Sequence, residues 1–192
     1  MKNLIKQLCI AIIITGVLCL LISNLSGEKS EYQKLKDKKE EAFNALYSEN
    51  NGGFLILRNT YLAHNEGENN ITAYIKYNGA LKKSFLFLKV TCQADAKRTK
   101  AITFASDVGY EKLDYVNEAY SLTSTKIGSK SFATLDIQIG ELLKEQLLRM
   151  AQASSASIVF TDHKGDHNFE LTEAEKQGLE QVILAYKYIK CE

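Results

Sequence analysis

Three patterns of hydrophobic and polar positions follow one another along the chain. Residues 7–27 carry no charged side chain and include the apolar run CIAIIITGVLCLL. Residues 28–50 are rich in lysine and glutamate, with apolar residues at steps of three and four. From Phe54 the dominant period is two, which is typical of half-buried strands, and near residue 140 it becomes helical again.

The first pattern predicts a membrane helix. At 1.5 Å per residue, the uncharged segment from Gln7 to Gly27 reaches roughly 31 Å, about the thickness of the hydrocarbon core of a bilayer. We therefore predict a single-pass anchor, or uncleaved signal, over residues 1–27, with residues 7–27 in contact with the membrane. Two alternatives stay open: a cleaved secretory signal, and a lipoprotein acylated at Cys19.

The charges beside this segment give conflicting indications of orientation. Lys2 and Lys6 precede it, whereas five lysines lie between residues 29 and 39. Counting lysines favours a cytoplasmic domain. A short basic head before an apolar segment instead favours export of the domain on its C-terminal side. We predict an extracytoplasmic domain, periplasmic or at the cell surface, and keep the cytoplasmic orientation as the alternative.

The second pattern predicts a charged juxtamembrane helix, or stalk, over residues 28–50. The sequence SENNGG, residues 48–53, contains the residues that commonly end helices and form linkers. We therefore expect one globular domain over residues 53–192.

Within that domain, alternation predicts strands with one apolar face. The clearest lie in ITAYIKY, FLFLKVTC and FATLDIQI, and further candidates are Phe54 to Leu57, Ile102 to Phe104 and Tyr115 to Thr123. A short amphipathic helix in GELLKEQLLRMAQAS is followed by a hairpin of SIVFTD and HNFEL across HKGD. Thr172 and Glu175 form a capping box at the start of a last helix. The predicted class is α+β: a mainly antiparallel sheet or sandwich closed by two helices in the C-terminal half.

The C-terminal part of this pattern also resembles a group of known proteins. The order of helix, SIVF strand, HKGDH turn and NFELTEAEKQGLEQVILAY, within residues 140–188, is similar to the end of small, uncharacterised bacterial secreted or membrane-anchored α+β domains. The resemblance implies export. It implies no activity and no site residues.

The net charge and the absence of catalytic motifs argue against several classes of function. The chain has a formal net charge of +1, which provides no field for collecting nucleic acid, so we expect no nucleic-acid partner. The sequence contains no nucleophile elbow, no phosphate-binding glycine loop and no zinc-protease helix. We expect no catalytic residues and no cofactor. His64 is interpreted as a solvated side chain, and Asp107, Glu111, Asp114 and Glu118 as solvated carboxylates.

One constellation has the chemistry of a metal site. Asp162, His163, Asp166 and His167 surround Gly165, and two imidazoles with two carboxylates could bind a metal ion if the hairpin brought them together. The same residues are those that a hairpin turn requires. We predict a turn and keep these four residues as metal candidates.

Two cysteines lie beyond the anchor. Cys92 falls on the apolar face of a predicted strand, and Cys191 follows the last helix. In an oxidising compartment they could form a disulfide if their Cα atoms lie within about 7 Å.

These observations favour a non-enzymatic, membrane-anchored module of the cell envelope that binds or positions another protein. One alternative is an immunity or exclusion protein that blocks a toxin or phage component. The other is a hydrolase or metal-dependent enzyme whose site is assembled from distant loops.

Overall fold

A computed structural model describes residues 30–52, 54–62, 67–114, 116, 120 and 122–190. The predicted anchor over residues 1–27, His64, Glu118 and Cys191 lie outside the described residues. Among the residues described, no helix has the length and apolar character needed to span a membrane. The chain divides into two compact units, residues 1–38 and 39–192.

The described elements are three helices, one 3-10 turn and ten strands. In chain order they are α1 (Glu31–Asn44), β1 (Tyr47–Asn51), β2 (Phe54–Arg58), the 3-10 turn (Thr60–Leu62), β3 (Asn70–Asn78), β4 (Lys83–Cys92), β5 (Ala101–Ser106), β6 (Gly109–Asp114), β7 (Thr123–Ile127), β8 (Lys130–Gln138), α2 (Glu141–Gln152), β9 (Ala156–Asp162), β10 (Gly165–Glu170) and α3 (Glu173–Lys190).

The strands form two sheets in which every pair of neighbours is antiparallel. The large sheet has the order β1-β2-β3-β4-β8-β7, and the small sheet has the order β10-β9-β5-β6. Helix α3 contacts the large sheet at β3 and β4, helix α2 contacts the small sheet, and the two helices contact each other. The predicted α+β class, with mainly antiparallel sheets, is confirmed.

The one-sided strands supply the core, as their alternation predicts. Leu86, Leu88 and Val90 of β4 are fully or almost fully buried and join one apolar cluster with residues from both sheets and from α2 and α3. The residues of β3 and β8 that face this cluster, among them Ile71, Ile75 and Leu135, are also buried, although residues on the other face of both strands are buried as well. Burial of this apolar surface is the main stabilising contribution to such a fold.

Two expectations about local structure are wrong. Residues 48–51 do not belong to a linker, because all five residues of β1 pair with β2 in a hairpin. The glycine that suggested a linker serves the turn: Gly52 has φ +57°, a conformation that glycine adopts without strain. The helix before it ends at Asn44. The strand expected at Tyr115 to Thr123 begins only at Thr123, and the carbonyl of Val116 instead accepts a hydrogen bond from the backbone N–H of Tyr120, four residues later.

Candidate functional site

The HKGDH segment forms the predicted hairpin turn. Gly165 pairs with Asp162, and His167 pairs with Phe160. Because successive residues of a strand point to opposite faces, Asp162 and His167 lie on the face of the buried Phe160, whereas Asp166 lies on the other face with Thr161. Asp166 there accepts a hydrogen bond of 2.7 Å from the Thr161 hydroxyl, and His163 is exposed in the turn.

The strand period thus separates the four metal candidates and leaves one pair in contact. The Nε2 atom of His167 lies 3.4 Å from Oδ2 of Asp162, and the backbone N–H of Lys164 donates to Oδ1 of Asp162 at 2.6 Å. This N–H, followed by the imidazole of His167, lowers the pKa of Asp162. Among the described residues no group of three or more His, Cys, Asp or Glu side chains is placed to hold a metal ion. The pair joins the two strands at the hairpin end.

Cys92 lies at the end of β4, where its side chain is buried. Its thiol donates to the carbonyl of His167 at 3.7 Å, and burial raises its pKa to about 11. A thiol with this pKa is protonated, and therefore poorly nucleophilic, at neutral pH. Because Cys191 lies outside the described residues, the disulfide with Cys92 stays a prediction.

The carboxylates considered for acid–base chemistry are spread along the β5–β6 hairpin. Asp107 is exposed in its turn, Glu111 lies opposite Phe104, and Asp114 forms a 2.8 Å ion pair with Lys112. The structure does not bring these three side chains to one cleft with opposed environments, which general acid–base catalysis uses.

A groove on the outer face of the large sheet is the strongest candidate for a binding site. This outer-face groove has a volume of about 460 Å³ and is lined by Asn51, Gly52, Phe54, Ile56, Lys76, Phe85, Phe87 and Gln138. It arises because β2 and β4 carry apolar residues on both faces. In β4, Leu86 and Leu88 point to the core while Phe85 and Phe87 point outward and stay partly exposed.

An aromatic and cationic cluster lies beside the groove and shares Lys76 and Phe87 with its lining. The rings of Tyr74 and Phe87 stack with centroids 5.5 Å apart, and the ammonium of Lys76 lies 4.2 Å from the centre of the Phe87 ring. The Arg58 guanidinium lies 4.9 Å from the centre of the Tyr74 ring. Such contacts hold a cation in place over the rings.

Tyr74 connects this cluster to β8, the strand on the far side of β4. Its hydroxyl donates to Asp136 of β8 at 2.7 Å. Burial, followed by this bond to Asp136, raises the pKa of Tyr74 well above its usual range, so the phenol stays protonated and the hydrogen bond is kept. The ring that stacks on Phe87 is therefore itself held by a hydrogen bond.

Comparisons with family models, curated proteins and solved structures found no match to this chain. The interpretation of the candidate site therefore rests on the geometry of this chain alone. Sequence reasoning did not identify the groove, although FLFL, with large apolar residues on both faces of a strand, is the signal that could have indicated it. The sequence does not show the register of the strands. The groove forms because Ile56 of β2 pairs with Lys76 of β3, which in turn pairs with Phe85 of β4.

Proposed function

We propose that this protein is a non-enzymatic binding module, tethered at the cell envelope through residues 7–27, that holds another protein in the outer-face groove. The observation that carries the proposal is the groove itself: aromatic side chains line a concave surface on the side of the sheet opposite the core. Concave surfaces lined mainly by apolar and aromatic side chains, with a few polar groups, are typical of binding sites.

The composition of the groove favours a protein partner. Aromatic residues are enriched at the centres of protein interfaces, where they form pockets for side chains of the partner. The lining combines three phenylalanines and one isoleucine with two side-chain amides, from Asn51 and Gln138, and one lysine. The apolar residues supply contact area, while the amides supply directional hydrogen bonds that fix the orientation of a bound segment.

Site-specific photo-crosslinking tests the proposal. The photoreactive residue p-benzoylphenylalanine replaces Phe85 in the full chain, which is expressed in its native cells. Replacement of Tyr110 by the same residue is the matched control. Tyr110 is 70% exposed and lies on β6, in the other sheet. We expect one discrete crosslinked protein from position 85, absent from position 110 and lost when Phe54→Ser or Phe87→Ser is added.

Identical products from positions 85 and 110 would refute the groove as the binding site. A product that persists with both serine variants would do so as well, because those substitutions remove the apolar walls. Thermal unfolding of each variant shows that loss of the product is not caused by loss of the fold.

Protease accessibility tests the orientation. If the domain is extracytoplasmic, protease added to spheroplasts removes it and leaves a membrane-bound fragment that contains Met1. Full protection in intact spheroplasts, with digestion after lysis, would place the domain in the cytoplasm. Digestion that leaves no fragment containing Met1 in the membrane would instead indicate a cleaved signal.

A further inference from the structure

The charged residues around the outer-face groove are mostly cationic. Arg58, Lys76, Lys83 and Lys89 lie on the outer face of the large sheet, together with the carboxylates Glu49 and Asp136. Glu49 forms a 3.1 Å ion pair with Arg58, and Asp136 accepts the hydroxyl of Tyr74 and lies opposite Lys89. Both carboxylates are therefore already engaged.

Lys76 and Lys83 are the cations next to Phe85 that an external group in the groove could reach. Within the described part of the chain, neither forms an ion pair with a carboxylate, and the groove lining includes no acidic residue. Lys76 lies opposite Phe85, and Lys83 is two residues from Phe85 on the same face of β4. The two lysines therefore lie on the same face of the sheet as the apolar lining, and both are next to Phe85.

Contacts within the chain favour one position for the Lys76 ammonium. Its ammonium contacts two rings, at 4.2 Å from the Phe87 centroid and 5.5 Å from the Tyr74 centroid. A ring face attracts the cation without neutralising its charge, so the N–H groups that point away from the rings can donate to an anion. A pre-organised cation loses less conformational entropy on binding than a free lysine side chain does.

We infer that the groove accepts an acidic segment of the partner, in which an aromatic or large aliphatic side chain is flanked by carboxylates. This inference rests on the proposed function and specifies its ligand. The apolar side chain enters between Phe54, Ile56 and Phe85. The flanking carboxylates accept hydrogen bonds from the ammonium groups of Lys76 and Lys83. Charge complementarity of this kind selects among partners that have similar apolar groups.

Ligand-observed ¹⁹F NMR with two peptides tests the inference. The probes are acetyl-Glu-(4-fluoro-Phe)-Glu-amide and its neutral counterpart with Gln in place of both Glu residues. The full chain is reconstituted in nanodiscs of phosphatidylcholine, and empty nanodiscs provide the blank. At low salt we expect the acidic peptide to bind about fivefold more tightly, with the difference decreasing as salt is added.

Charge variants connect any such preference to the groove. Lys76→Gln should remove most of the preference for the acidic peptide, whereas Lys76→Arg should retain it. Lys126→Gln, which makes the same change in net charge on the exposed strand β7, is the matched control and should leave the preference unchanged.

The outcomes separate this inference from the proposed function. Equal binding of the two peptides, unaffected by Lys76→Gln, would overturn the acidic ligand and leave the groove as a binding site for apolar groups. An equal loss of preference with Lys76→Gln and Lys126→Gln would also overturn it, since net charge would then be the cause. If neither peptide binds, the inference is wrong, and the proposed function depends on the crosslinking result alone.

Discussion

The side chain of Leu62 lies directly against the backbone of Gly178. A Cβ atom added at Gly178 would come within 2.7 Å of Cγ of Leu62 and within 3.2 Å of Cβ of Tyr61. Gly178 is therefore the point at which the 3-10 turn packs onto helix α3. Because Gly178 has no side chain, Leu62 can pack directly against the helix backbone. This packing offsets the usual cost of glycine within a helix, which is about 1 kcal/mol relative to alanine.

We predict that Gly178→Ala destabilises the protein, although alanine is the better helix former. Overpacking in a core costs about 1–3 kcal/mol, and Leu62 cannot move aside easily. The turn that carries it is held by the Thr72 hydroxyl, which donates to the Leu62 carbonyl at 3.0 Å, and by Asn59, which donates to Gln181 at 2.5 Å. Chemical denaturation measures the change in the free energy of unfolding.

The control for this prediction is a double-mutant cycle. Leu62→Ala alone should cost about 2–5 kcal/mol, because it leaves a cavity. In that background Gly178→Ala should cost much less, because the Leu62 atoms that obstruct it are gone and only the 3.2 Å approach to Cβ of Tyr61 remains. If Gly178→Ala costs the same in both backgrounds, the clash with Leu62 is not the cause.

The capping box of helix α3 is confirmed and gives a second prediction. The backbone N–H of Glu175 donates to the Thr172 hydroxyl at 3.2 Å, and the Glu175 carboxylate accepts the Thr172 backbone N–H at 2.8 Å. Thr172→Ala should lower the free energy of unfolding by about 1 kcal/mol. Glu175→Gln should cost less than Glu175→Ala, since glutamine can still accept the bond. Gln177→Ala, at an exposed position on the same helix, is the neutral control; equal effects at 172 and 177 would contradict the prediction.

The elements that were predicted correctly are those in which side-chain chemistry alone determines local structure. In β4 the buried residues alternate with outward ones, and in α3 the cap and the apolar stripe coincide. Strands β1 and β7 carried no such signal, because every residue in both is exposed. An edge strand without an apolar face is identified only by its pairing partner. The groove was missed for a related reason: Phe85 and Lys76 become neighbours only through the register of β3 and β4.

Burial of Cys92 predicts an alkaline shift in its reactivity. With its pKa raised to about 11, the thiolate fraction at pH 8 should be about 100-fold below that of an ordinary thiol. The measurement is the pH dependence of alkylation by iodoacetamide in a chain whose other three cysteines are replaced by serine. The matched control is Ser129→Cys, in the exposed β7–β8 turn, with all four native cysteines replaced.

The same shift makes folding stability dependent on pH. The folded-state pKa of Cys92 lies above the unfolded value, so the folded state retains its proton while the unfolded state loses it. Stability from this group is complete below about pH 9 and decreases as the pH rises toward about 11. If the alkylation midpoint of Cys92 were the same as that of the Ser129→Cys control, near the ordinary thiol pKa of 9.0, the burial of Cys92 would be contradicted.

The start of the folded domain gives the last prediction. A protein that begins at Gly53 should still unfold cooperatively, since β3, β4, β8 and α3 retain their core contacts. It should nevertheless be less stable than one that begins at Ser30. The shorter protein lacks β1, which pairs with β2 along its whole length, and it lacks the buried Ala42 and the Phe43 ring, whose centroid lies 5.6 Å from that of Tyr188. Loss of the partly buried Phe43 alone should cost about 2 kcal/mol, and each 1 kcal/mol lowers Tm by about 2–4 °C in a domain of this size. We therefore expect a decrease in Tm of about 5 °C or more, measured by circular dichroism.

Phe43→Ala in the longer protein should reproduce part of the decrease, while Tyr32→Ala, at a side chain that is 77% exposed, should not. Equal Tm values for the two truncated proteins would mean that neither β1 nor Phe43 stabilises the domain, and residues 53–192 would then be its full folded extent.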